Sequence, residues 1–316
     1  MKTSGIGGQA VIEGIMMRNK DKYAIAVGKP DNEIELSVRE SRLLTEKYKW
    51  LNFPVIRGVF NFVDSLVTGV STITYSASFY DDPAEQKKTK ADEIGKAIFK
   101  DKLESVLMAV TIIISVALAV GLFMVVPYFV SRLLAGVVTS QFLLNFLEGI
   151  VRVVIFLLYL VAISHMNDIK RTFMYHGAEH KCINCIEHGL ELNVENVMKS
   201  SREHKRCGTS FLLFVMIVSI IFFLFIRVSS PVLRVVIRLL LMPVIAGVSY
   251  EIIRLAGKSD NKIVALLSKP GLMLQHLTTR EPEPEMAEVA IAAVEAVFDW
   301  RSYLKENFPE QYGEKS

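Results

Sequence analysis

Four stretches of the chain are apolar for long enough to cross a lipid bilayer. Val106 to Val130 runs 25 positions without a charged residue, where about 20 suffice to span a hydrocarbon core roughly 30 Å thick. Ser210 to Ile226 is also uncharged. Phe142 to Ser164 carries Glu148 and Arg152, and Val232 to Arg254 carries Arg234, Arg238 and Glu251, but both are long enough to span. Phe53 to Phe79 differs in kind: it is mostly apolar but sets Arg57, Asn61 and Asp64 at helical spacing. That stripe fits an interfacial or re-entrant helix better than a span facing lipid all round. The period changes near the N-terminus, where Tyr23 to Gly28 and Glu33 to Val38 alternate in polarity around Lys-Pro-Asp-Asn, the pattern of a β-hairpin.

These patterns predict a predominantly α-helical polytopic membrane protein. It has about four transmembrane helices, an amphipathic or re-entrant segment, and a small cytoplasmic α+β part that includes the N-terminal β-hairpin. Seven regions follow along the chain: a β-containing segment at 1–52, the interfacial or re-entrant helix at 53–80 and a charged linker at 81–105. Spans one and two occupy 106–164, a cytoplasmic loop 165–209, spans three and four 210–254, and a cytoplasmic tail with an amphipathic helix 255–316. Within the tail, Lys269-Pro270-Gly271 predicts a turn, Thr278 to Glu285 is acidic and broken by proline, and an Ala-rich amphipathic pattern runs from Met286 to about Leu304. Gly5 to Arg18 is glycine-rich and reads as a tightly packed turn and short strand; with no Gly-Lys-Ser/Thr ending it is not a phosphate loop.

Composition agrees, with 51% hydrophobic residues and a mean hydropathy of +0.35 over 316 residues, too apolar for an ordinary soluble domain. The first twenty residues contain Glu13 and no uninterrupted apolar core, so no cleavable signal peptide is expected. Lys and Arg set the orientation: the 165–209 loop holds Lys170, Arg171, Lys181, Lys199, Arg202, Lys205 and Arg206, whereas the loop from Ser131 to Gln141 holds only Arg132. A multi-pass protein of the cell membrane with both termini cytoplasmic satisfies this bias, with the lipid bilayer as its first partner. Topology accounts for the basic residues, so a net charge of +3 gives no reason to expect nucleic acid. Other membrane proteins or further copies of the chain are compatible partners.

The candidate chemistry lies in that loop. His176-Gly-Ala-Glu179-His180 fits H-x-x-E-H, the inverted form of a zinc-protease signature. On a helix, positions three and four apart share a face, so both imidazoles and the carboxylate point into one space. No proline interrupts the run from Ser164 to His180, so one helix is expected to continue out of the second span and carry all three. His176 and His180 would bind zinc, and Glu179 would act as general base. His204, Cys207 and Glu251 are candidates to complete the ligand set. Glu251 has a bland alternative, a salt bridge with Arg254 or Arg171, while Glu148 and Arg152 read as a structural pair. A competing pattern, Cys182-x-x-Cys185 followed by His204-x-x-Cys207, has the spacing of a closed structural zinc site.

Five blocks together resemble the YqhQ family of bacterial membrane proteins: 7–18 (GGQAVIEGIMMR), 54–58 (PVIRG), 175–181 (YHGAEHK), 206–211 (RCGTSF) and 277–282 (LTTREP). The resemblance implies a metal-dependent enzyme of unassigned reaction and carries over Gln9, Glu13, Arg57, His176, Glu179, His180, Arg206 and Cys207. The leading expectation is thus a membrane-embedded metal-dependent hydrolase acting on a membrane-protein segment or lipid-linked compound. A scaffold or regulator held together by structural zinc is the alternative, and a transporter or channel the third.

Overall fold

The computed structural model describes residues 2–41, 48–80, 103–226, 228, 230–256 and 261–313. Most of the expected charged linker, 81–102, lies outside the described residues. The strands are β1 (Gly7–Val11), β2 (Gly14–Asn19), β3 (Lys22–Gly28) and β4 (Ile34–Glu40). The helices are α1 (Ile56–Ala77), α2 (Leu103–Val120), α3 (Val126–Leu133), α4 (Gln141–Ile163), α5 (Asn167–Glu187), α6 (Val194–Lys199), α7 (Gly208–Leu224), α8 (Pro231–Ala256), α9 (Lys262–Thr278), α10 (Pro284–Glu295), α11 (Trp300–Asn307) and α12 (Pro309–Tyr312). They divide into two compact units, one of residues 1–80, 160–219 and 241–316, the other of 81–159 and 220–240.

Three helical segments among the described residues are long and apolar enough to cross a membrane: Val106–Gly136, which joins α2 to α3 through a π-helical turn, Gln141–Ile163 and Val232–Leu255. The expected fourth, α7, is a shorter apolar helix of 17 residues. In the second unit the charged residues of these helices meet. Glu148 takes both terminal nitrogens of Arg238 and, at 3.3 Å, one nitrogen of Arg152, whose Nε donates to the Phe123 carbonyl at 2.9 Å. All three side chains are buried, and their mutual pairing is what makes such charges tolerable in apolar helices.

The first unit is built on an antiparallel meander in the order β1-β2-β3-β4. The expected hairpin is β3 and β4, and the glycine-rich segment before it supplies two strands rather than one. Glu13 makes the β1–β2 turn at a positive φ of 48°. β3 buries Ala24 to Val27 on both sides because the sheet is covered twice. Ile15, Met17 and Ala26 pack on α5 and α10, while Val11, Met16, Ile25 and Val27 pack with Tyr75 and Phe79 beside them.

Two expectations about the helices need correction. The second span and the H-x-x-E-H helix are not one helix: α4 ends at Ile163, Met166 is extended, and α5 begins at Asn167. Ser164 Oγ donates to Val161 O and His165 Nδ1 bonds the same carbonyl at 2.7 Å, local side-chain bonds that compete with helix continuation. Nor is there a turn at Lys269-Pro270-Gly271, because α9 runs straight through it. Gly271 lies so close to Ser210 that an added Cβ would sit 2.8 Å from its Oγ; that packing holds the helix on course despite the proline. The amphipathic pattern from Met286 divides into α10 and α11, separated where Asp299 caps the second through Ser302 N at 3.0 Å.

Candidate functional site

Helix α5 is unusual in burying nearly every residue from Tyr175 to Glu187, charged ones included. Buried polar groups need partners, and here a strap of backbone at 198–203 provides them. Lys181 Nζ donates to Met198 O and Ser200 O, both at 2.8 Å, and Asn184 Nδ2 donates to Ser201 O and Glu203 O at 2.7 and 2.8 Å. His180 Nδ1 joins the series with the Arg202 carbonyl at 2.6 Å. A second segment grips the helix from another direction. His176 Nδ1 lies 2.8 Å from Thr278 O, at the end of α9, and Arg280 N donates to Phe173 O at 2.8 Å. Gly177 is required by this approach, since a Cβ there would collide with the Arg280 carbonyl oxygen.

These two carbonyls decide the histidine tautomers. A carbonyl oxygen can only accept, so Nδ1 carries a proton in both rings, and in the neutral ring each Nε2 presents its lone pair. The two Nε2 atoms converge with Cys207 Sγ: among the described residues, His176, His180 and Cys207 form the group whose ligand atoms all lie within 4.8 Å of one another. Sγ is 3.3 Å from His176 Nε2, and the Glu179 carboxylate reaches to 3.8 Å from both Nε2 atoms. Thr209 supports the sulfur through its hydroxyl at 3.0 Å and its N–H at 3.4 Å. Burial opposes charge on His176, His180 and Cys207. It nevertheless loses to their mutual attraction: the imidazoles of His176 and His180 hold the Cys207 thiol well below its ordinary pKa, and the sulfur raises His176 to about 9 and His180 in the same direction.

The other candidates are not part of this cluster. His204 turns toward Glu187, whose carboxylate is 3.5 Å from its Nε2 and also takes Ser4 N and Oγ at 2.8 Å and a terminal nitrogen of Arg206. Gln275 fixes the His204 backbone through N–H and C=O bonds of 2.9 and 2.8 Å. Glu251 is held by Arg57, Nε to Oε1 at 2.7 Å, with Arg254 at 3.8 Å; Arg171 pairs instead with Glu13. Cys182 and Cys185 point into the apolar core with Ile183, Ile186 and Val197, and burial pushes both thiols up, Cys185 to about 11. The four residues of the competing zinc pattern are therefore not gathered in one place. Sequence reasoning assigned no role to Thr209, Thr278 or the Arg202 carbonyl. Thr209 and Thr278 were within view, since they belong to two of the five resemblance blocks.

The centre opens into a cleft of about 560 Å³. Its walls are β1 and the residues before it, the polar face of α1 (Asn61, Ser65, Thr68), the His-Glu-His face of α5, and Tyr250 of α8. Gln9 is fixed there by a 2.7 Å bond to Thr72. A pocket bearing a carboxylate, two oriented imidazoles and a thiolate can bind a soft or borderline divalent ion and move protons beside it.

Comparison with known proteins places no activity on this arrangement. A family model described as a protein of unknown function (DUF1385) matches residues 53–300. YqhQ of Bacillus subtilis (strain 168), described as an uncharacterized protein, is 33% identical over 303 residues, covering 95% of this chain and 94% of its own length. No solved structure matches the chain.

Proposed function

This chain belongs to the YqhQ family, matched by the DUF1385 model, and we propose that it is a metal-dependent hydrolase whose ion is held by His176, His180 and Cys207. The observation that carries the reading is the pair of carbonyls, Thr278 O and Arg202 O, that turn both Nε2 lone pairs toward one thiolate. Two histidines kept only for packing have no need of orienting bonds, one on each ring, that bring both Nε2 atoms to the same sulfur. Zinc matches the nitrogen and sulfur donors best, and when bound it would supply Lewis acidity and a water that ionises near neutral pH. Three protein donors also match the number used in catalytic zinc sites. Glu179, fixed on the same helix face, takes a proton from the attacking water and passes it to the leaving group. Tyr250 and the α1 polar face in the cleft wall favour a substrate presented at the membrane, either a segment of a membrane protein or a lipid-linked compound.

Metal analysis of the purified full-length protein tests this. Wild type should carry one equivalent of zinc, Glu179→Gln should keep it and lose hydrolysis, and His176→Ala and Cys207→Ser should lose the metal. A wild type without stoichiometric metal, or Glu179→Gln losing metal as completely as His176→Ala, overturns the reading. A second reading, a cysteine hydrolase with Cys207 as nucleophile and His176 as its base, is favoured by the 3.3 Å contact and the depressed thiol pKa. It is selected if activity survives chelation.

A topology belongs to this proposal. With α7 crossing as a fourth span, both termini and the centre share the Lys- and Arg-rich cytoplasmic side. α1 then lies in the interface, its Val63, Leu66, Val67, Val70 and Ile73 exposed outward, opposite the face that bears Arg57, Asn61 and Asp64.

A further inference from the structure

β1 is an edge strand whose residues Gly7 to Val11 pair with β2 alone. In an antiparallel pair only alternate residues bond to the neighbour, so the rest point their N–H and C=O outward. Among the described residues no other backbone bonds to this outer edge between positions 5 and 10. Both faces of the sheet are covered, by α5 and α10 on one side and by Tyr75 and Phe79 on the other. The sheet can therefore be extended only in its own plane, at β4 or at the opposite edge, β1. That edge opens into the cleft that holds the His-His-Cys centre, where residues 5–9 line one wall and Glu179 lies beside them.

The glycines keep the edge approachable. A Cβ at Gly7 would meet nothing within 4 Å, so the space beside that backbone is open, whereas at Gly8 it would come within 3.1 Å of the Glu179 side chain. β1 thus passes directly alongside the Glu179 side chain. The residues lining this cleft include Lys20, the Asp64-paired Arg18 and the Glu187-paired Arg206, but no acid other than Glu179.

We propose that the substrate is an extended polypeptide, neutral or acidic, that adds to β1 as a fifth strand and so carries one of its amides to Glu179. Main-chain hydrogen bonds give the affinity, so recognition tolerates varied sequences, and the cationic rim disfavours basic ones. Hydrolysis is the addition of water: the water oxygen bonds to the carbonyl carbon, the C–N bond breaks, and the proton accepted by Glu179 ends on the leaving nitrogen. The substrate class rests on the hydrolase reading, but occupation of β1 does not.

Full-length Glu179→Gln protein in nanodiscs is titrated with a fluorescein-labelled, unstructured acidic peptide, and with the same peptide N-methylated at alternate amides. N-methylation removes strand donors and leaves every side chain in place. Loss of several such bonds should weaken binding at least about tenfold, and a diazirine on the unmethylated peptide should cross-link to residues 5–9. Equal binding of both peptides, or cross-links confined to other segments, overturns the proposal. Binding at β1 by Glu179→Gln with no cleavage by the metal-loaded wild type upholds strand addition and sinks the hydrolase; cleavage of lipid-linked compounds without peptide binding does the reverse.

Discussion

Cys182, Cys185 and Cys207 are all buried, yet their thiols shift in opposite directions. Cys207 is pulled down by two imidazoles, while the apolar surroundings of Cys182 and Cys185 push theirs up. A thiolate is populated above its pKa, so in metal-stripped protein the alkylation of Cys207 should reach its plateau at a lower pH than that of Cys182 or Cys185. Cys185 should accelerate toward about pH 11. Peptide mass mapping after iodoacetamide treatment checks this, with zinc restoring protection at Cys207 alone; three cysteines reacting alike would sink it. At this scale the sequence is informative wherever spacing is the signal. His176, Glu179 and His180 share a face because of helical periodicity, and Cys207 stood out among nearby ligand-type residues. What spacing hides is the partner far away: Glu251 stands out as a costly acid near a span, but the Arg57 that holds it comes from 194 positions earlier. The carbonyls that set the tautomers, Thr278 O and Arg202 O, have no sequence signature, because every residue has one.

Helix α5 is positioned by two straps, the backbone at 198–203 and the segment 278–281, and the second depends on Gly177. Replacing Gly177 by Ala should gain about 1 kcal/mol of helix propensity. The added methyl must displace Arg280, however, and overpacking of this kind costs about 1–3 kcal/mol. Displacement also draws Thr278 O away from His176. Loss of such an orienting partner typically weakens a metal site by about 10- to 100-fold. Denaturant melts and zinc titration of Gly177→Ala should therefore show a modest loss of stability beside a large loss of affinity; unchanged affinity would mean that the strap does not orient the ring. The hydrophobic pattern reveals elements like α4 and the β3–β4 hairpin. It fails at Ser164–Met166 and at Pro270, where side-chain bonds to a carbonyl break a helix and close packing of a glycine carries one across a proline.

The two compact units are interleaved along the chain, the second being inserted twice into the first. Fusions test the proposed arrangement in the membrane: a fluorescent protein at either terminus should glow in the cytoplasm, and alkaline phosphatase joined after Gly136 should be active outside. A phosphatase active at the C-terminus would remove α7 from the spans. The centre itself joins residues far apart in order of synthesis. His176 and His180 are made first, Cys207 follows just before α7, and the Thr278 carbonyl that sets His176 arrives only after α8 is complete. On the proposed topology the nascent chain thus exposes a thiol and two unoriented histidines at the membrane while α7 and α8 are still being inserted. The His176 ring is set only when residues 278–281 dock on Gly177, which would make correct insertion of the earlier helices a condition for the proposed metal binding.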